Sequence, residues 1–173
     1  MKILKTIGII LLVLVGAFTV YNAIIDLHYE VERTITIHAT PDKISEVVSD
    51  FKSWPKWSTW FGKDETMAAT FGEPSKGLGG SYSWTSDNMG SGSMEVLDYA
   101  IGEHMTTKII FDGMGDNQGQ WKFNAVPQGT EVTWGFSGDM PFFFRFMAPA
   151  MDASVGPDFE QGLANLKALI ELN

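Results

Sequence analysis

Two hydrophobic periods divide this chain. From Ala153 to Leu172 the apolar residues Phe159, Leu163, Leu166 and Ile170 recur at i, i+4, i+7 and i+11, which is one stripe of an amphipathic helix. Asp158, Glu160, Gln161, Asn165, Lys167 and Glu171 fall on the opposite side. Between Thr66 and Ser137 the period shortens to two, and the pattern predicts about six short strands. Trp121 and Phe123 alternate with Gln120, Lys122 and Asn124, and Val132, Trp134 and Phe136 alternate with Glu131, Thr133 and Ser137. Such alternation belongs to antiparallel strands with one wet face. Turns are expected at Gly72-Glu73-Pro74, Ser86-Asp87-Asn88, Ala100-Ile101-Gly102, Asp112 to Asp116 and Pro127-Gln128-Gly129.

Ahead of these strands, residues 26–30 read as a short linker. Val31, Arg33, Ile35 and Ile37 then share one strand face, with Arg33 the misfit. Thr40-Pro41 reads as N-cap and first helical residue, followed by a short stripe of Ile44, Val47, Val48 and Phe51. Residues 53–61 form an aromatic patch around Pro55, which predicts an irregular turn or broken helix. Phe142 to Met147 is too aromatic for a solvated loop and is expected to begin the carboxy-terminal helical region. Gly156-Pro157 is expected to bend or break that region, because Pro157 cannot donate to the carbonyl of Ala153.

The segment from Ile7 to Ile25 is apolar on every side and carries no charge. At ~1.5 Å per residue it spans a hydrocarbon core of roughly 30 Å. The expected organisation is an amino-terminal membrane anchor over residues 1–26 and a folded domain over 27–173. Lys2 and Lys5 precede the segment while Asp26 and Glu30 follow it, which places the domain on the extracytoplasmic side. The alternative is a signal peptide cleaved after Ala17 and a secreted domain.

Charge narrows the partners. The chain has 12 basic and 21 acidic residues; Lys2 and Lys5 are the two basic residues before Asp26, leaving 10 against 21, a formal charge of −11. A surface that negative repels phosphate backbones, so no nucleic-acid partner is expected, nor binding of the domain to anionic lipid. The chain has no cysteine. His28, His38 and His104 lie at no metal-ligand spacing, so neither metal nor other cofactor is expected. Gly90-Ser91-Gly92-Ser93 misses the nucleophile-elbow spacing, and Gly77-Leu78-Gly79-Gly80 is not a dinucleotide fingerprint. An acid–base pair could be drawn from Arg33, Tyr82, Glu95, Asp98 and Tyr99 on the strands.

The order of elements, with its aromatic turn, resembles the SRPBCC superfamily, and more narrowly its polyketide cyclase/dehydratase branch. The residues that carry the resemblance are Ile35-Thr36-Ile37-His38-Ala39-Thr40-Pro41-Asp42-Lys43, then Ser49-Asp50-Phe51-Lys52-Ser53-Trp54-Pro55-Lys56-Trp57-Ser58. Gly129-Thr130-Glu131-Val132-Thr133-Trp134 and the closing Asp158-Phe159-Glu160-Gln161-Gly162-Leu163-Ala164-Asn165-Leu166-Lys167 complete it. It covers residues 31–172 and leaves the amino-terminal segment outside. It implies an α+β helix-grip (START-like) fold, in which a curved antiparallel sheet of about seven strands wraps around the long final helix. Pro157 departs from the continuous closing helix of that family.

The resemblance also implies a hydrophobic cavity under the final helix, with a lipid-like or polyketide-like small molecule as ligand. The residues expected to line it are Trp57, Trp60, Trp84, Phe111, Trp121, Trp134, Met147, Met151 and Phe159. Binding without catalysis is the expected role. The alternatives are a cyclase/dehydratase enzyme using a cavity acid or base, and a cell-envelope interaction module whose apolar patch at Phe142 to Phe146 meets an unknown protein partner.

Overall fold

The computed structural model describes residues 2–113 and 115–172. A helix, α1 (Lys2–Ile24), leads into strand β1 (His28–Ile37) and helix α2 (Pro41–Val48). Two short 3-10 helices follow, at Phe51–Lys56 and Thr59–Gly62. Six strands come next: β2 (Ala68–Phe71), β3 (Ser81–Thr85), β4 (Gly92–Ala100), β5 (His104–Phe111), β6 (Gly115–Val126) and β7 (Gly129–Asp139). A 3-10 segment, Phe142–Ala150, then runs into α3 (Met151–Glu171). Of the turn expected over Asp112 to Asp116, Met114 lies outside the described residues.

The strands form one curved antiparallel sheet in the order β1-β7-β6-β5-β4-β3-β2, with α3 laid across its concave face. A bulge at Leu97, between the paired residues Val96 and Asp98, locally increases the bend of β4. This is the helix-grip architecture implied by the resemblance. β1 begins at His28, earlier than the linker reading allowed, and Tyr29 takes the next inward position below Val31.

The helical stripe behaves as its spacing dictates. Phe159, Leu163, Leu166 and Ile170 are all buried against the sheet, each worth roughly 1.5–3 kcal/mol by removal from water. The polar face is less free than its pattern suggests. Asn165 Nδ2 donates to Trp57 O at 3.0 Å and Lys167 Nζ to Thr36 O at 2.8 Å, tying α3 to both of its neighbours.

Of the bend or break expected at Gly156-Pro157, the break does not occur, since α3 is continuous through Pro157. Two features account for this. Gly156 presents no Cβ to the proline ring, which relieves the usual clash with the preceding residue. The same position is filled from below by the Arg33 guanidinium, which would lie 1.9 Å from a Cβ placed on Gly156. Arg33 is therefore no misfit. Its Nη1 and Nη2 contact the two oxygens of Asp152 at 2.7 and 3.2 Å, and its Nε donates to Glu160 Oε1 at 2.7 Å. The inward-facing cation of β1 clamps the first turns of α3 on either side of the proline.

Candidate functional site

The concave face is filled unevenly. At one end α2 and the first 3-10 helix close the sheet, and Ile37, Ile44, Val48, Phe51, Val96, Met105 and Leu166 are buried there. Toward the other end the wall thins. Thr107 on β5 lies directly opposite Gly119 on β6, two small residues side by side between larger ones. Both border a hollow of about 230 Å³ beneath α3. It exceeds the ~150 Å³ of a cavity lined by Leu, Ile and Phe that stays dry and takes up benzene.

Its floor is an aromatic stack. Trp121 and Trp134 lie on neighbouring strands with centroids 4.7 Å apart, and Phe159 of α3 stacks on Trp134 at 4.0 Å. Gly162 permits that approach, since a Cβ there would meet the Trp134 ring at 3.0 Å. Eight of the nine residues read from the sequence border the hollow: Trp60, Trp84, Phe111, Trp121, Trp134, Met147, Met151 and Phe159. Trp57 does not. Its ring is wedged behind the wall against Trp54, Trp121 and Trp134, with Nε1 donating to Ser53 Oγ at 3.2 Å. Trp54 takes the lining position instead, while its own Nε1 donates to Val48 O at 2.8 Å. Phe144 and Met147, both exposed, form part of the rim.

Sequence reasoning missed a small polar group near the rim. Tyr29 OH donates to Asn117 Oδ1 at 2.5 Å, and both residues line the hollow together with Asp139, whose Oδ1 lies 2.9 Å from His28 Nδ1. The alternation of Tyr29 with Val31 was the available signal. Burial and the nearby Asp139 charge push the Tyr29 phenol up to about 12. Burial likewise pushes the Tyr82 phenol well above its ordinary value. Both are neutral hydrogen-bond donors at physiological pH. Among the described lining residues, the ionisable side chains are these two phenols and Asp139. Of the other acid–base candidates, Arg33 is held in its ion pairs, Glu95 and Asp98 face solvent, and Tyr99 is absent from the lining.

A second structural carboxylate organises the rim. Asp64 accepts hydrogen bonds from the Ser86 hydroxyl, from Thr66 N at 2.9 Å and Oγ1 at 2.8 Å, and from Asn88 N and Nδ2 at 3.2 Å each. It thereby fastens two segments whose methionines, Met67 and Met89, face the hollow. These donors, Ser86 foremost and then the Thr66 amide, hold the carboxyl well below its usual range. A depressed carboxyl stabilises the fold above its unfolded value of 3.8, and that contribution fades as pH falls below it. The thermal midpoint should therefore drop as pH falls below about 4. Asp64→Asn should lower the midpoint at neutral pH and flatten this acid limb; an unchanged limb in a melting series against pH would refute the assignment.

The sequence model of one family, described as polyketide cyclase / dehydrase and lipid transport, matches residues 28–171. The chain belongs to this family. Its fold recurs in a protein from Chromobacterium violaceum, with a TM-score of 0.61 and 16% identity over 83% of this chain and 98% of that one. A protein of unknown function from Staphylococcus aureus gives a TM-score of 0.65 at 13% identity, over 84% and 94% of the two chains. The two-domain ARO/CYC protein StfQ of the steffimycin biosynthetic pathway gives 0.63 at 12% identity, over 84% of this chain and 52% of its own. No curated protein matches the chain in sequence. At these identities the likeness establishes the fold, and function rests on the site itself.

Proposed function

We propose that the chain is a membrane-tethered binding protein that holds a hydrophobic small molecule, lipid-like or polyketide-like, beneath α3 without converting it. The observation that carries this reading is the hollow, walled mainly by aromatic rings and methionines and open at a rim of Phe144 and Met147. Such a lining rewards an apolar body, and adaptable methionine side chains suit a guest of variable shape. The phenol of Tyr82 offers a donor to an acceptor oxygen on that guest, while the Tyr29 hydroxyl, whose proton is given to Asn117, offers an acceptor. In this reading α1 is the anchor, residues 27–173 are the binding domain, and the domain lies on the extracytoplasmic side. α1 has the length and hydropathy required and is exposed over nearly all its surface.

The test is to expose residues 27–173 to a membrane-lipid extract and examine the domain by native mass spectrometry. Retention of a discrete apolar guest is expected. A domain that emerges folded and empty from every extract would refute the reading. The carboxylate of Asp139 beside the Tyr29–Asn117 pair favours a second reading, in which the site dehydrates or cyclises a carbonyl compound. Under that reading a poly-β-carbonyl thioester would lose water on incubation and Asp139→Asn would stop it. Under the first, the thioester is recovered unchanged.

A further inference from the structure

α1 is not a free tether. Each of three polar side chains along it is turned back on the helix: Thr6 Oγ1 donates to Lys2 O at 3.0 Å, Thr19 Oγ1 to Val15 O at 2.8 Å and Asn22 Nδ2 to Phe18 O at 2.9 Å. Asn22 is also the buried residue of α1. Its Oδ1 accepts from Phe146 N at 3.1 Å, and its backbone oxygen accepts from Arg145 Nη1 at 3.3 Å. The Phe18 and Phe146 rings meet with centroids 6.0 Å apart. The last turns of α1 are thus docked on the 3-10 segment Phe142–Ala150. This satisfies the one amide in an otherwise apolar stretch, as a hydrocarbon setting demands.

That docking sets a depth. If Ile25 marks the membrane boundary, Asn22 lies ~5 Å inside it and Phe18 ~10 Å inside, at ~1.5 Å per residue. Phe146, bonded to the first and packed on the second, lies between those levels. Phe142, Phe143, Phe144 and Met147 belong to the same segment and are exposed, Phe143 by 70%. Strand register puts the mouth of the hollow at the same pole. His28 pairs with Asp139 at the end of β1 nearest α1, and Phe111 pairs with Gly92 and Gly115 there. The Ala100–His104 turn stands at the opposite pole.

We propose that the Phe142–Ala150 segment is embedded in the lipid–water interface of the leaflet from which α1 emerges, so that the hollow opens sideways onto lipid and exchanges its guest with the membrane directly. This rests on reading α1 as a retained anchor. An aromatic segment sunk ~5–10 Å into the headgroup region is the usual geometry of an interfacial contact. The contact is apolar: Arg145 is the one basic residue of the segment, while Asp26, Asp112, Asp116 and Asp139 surround this pole. A zwitterionic surface therefore fits it, and an anionic one does not.

The absence of native cysteine allows a direct test on the full chain. Phe143→Cys, Ile10→Cys in α1 and Ile101→Cys at the far pole are each labelled with an environment-sensitive fluorophore and reconstituted into phosphatidylcholine vesicles. The label at 143 should be quenched by nitroxide-bearing phospholipid severalfold more than the label at 101, approaching that at 10, and should be shielded from aqueous iodide. Phe142→Cys should rank the same way, which guards against an effect of losing the Phe143 ring. A label at 143 open to iodide, with that at 10 still in lipid, overturns the inference and leaves the anchor standing. A label at 143 shielded from both quenchers means a protein covers the segment, and also overturns it. If the label at 10 is itself in water, the anchor reading fails and the inference falls with it.

Discussion

Trp54→Ala should cost about 3–5 kcal/mol of stability, a large share of the ~5–15 kcal/mol that holds a typical domain together. Trp54 is 1% exposed, and its ring meets those of Phe51, Trp57, Tyr82, Trp121 and Trp134 with centroids between 5.0 and 6.3 Å. It joins the first 3-10 helix to the floor of the hollow. Truncation removes those contacts and merges a new void with the existing one, so the surroundings cannot collapse to fill it. The indole N–H also satisfies Val48 O at the end of α2. Trp54→Phe should therefore lie between wild type and Ala, losing about 1–3 kcal/mol through the stranded carbonyl. Guanidinium unfolding of the domain from Leu27, followed by fluorescence of the remaining tryptophans, would measure both. A cost below about 1 kcal/mol for Trp54→Ala would mean that this cluster is not the hub its geometry describes.

What the sequence disclosed depended on whether the cause was local. The stripe on α3 and the alternation on β6 and β7 are local periods, and each side chain faces where its spacing puts it. Arg33 was conspicuous for the same reason, but its explanation lay 119 and 127 residues away in Asp152 and Glu160. The expected break at Pro157 failed for a linked reason. Proline chemistry alone argues for interruption, and only the tertiary fit of Arg33 beneath Gly156 shows why the helix runs on.

The site was legible in kind and blurred in detail. Aromatic and methionine surplus singled out residues that mostly border the hollow, yet the choice between Trp54 and Trp57 turned on an irregular 3-10 backbone around Pro55. The hollow itself leaves no mark on any single stretch of sequence. Thr107 and Gly119, two of the small residues that border it, meet only when β5 and β6 come into register, and register is a property of the assembled sheet. The polar group at the rim was hidden similarly, since Tyr29 and Asn117 become partners only when β1, β7 and β6 lie side by side.

Filling that thin place should have the opposite signature to emptying the hub. Ile109 lines the hollow from β5, between Met94 on β4 and Asn117 on β6. A Cβ on Gly119 would lie 3.3 Å from its Cδ1, so the side chain borders the weakest part of the wall. In a solid core Ile109→Trp would be overpacked at a cost of about 1–3 kcal/mol. Here the added ring projects into empty volume, exchanging strain for dispersion contacts. The thermal midpoint should stay level or rise, while affinity for 1-aminoanthracene, a fluorescent tricyclic probe of apolar cavities, should fall at least ~10-fold, equivalent to about 1.4 kcal/mol. Both readings come from one titration and one melt on the domain from Leu27. A folded variant that keeps wild-type affinity would place the probe elsewhere on the molecule and detach binding from the hollow. A variant that melts much earlier would show that the space beneath α3 is not free to receive a ring.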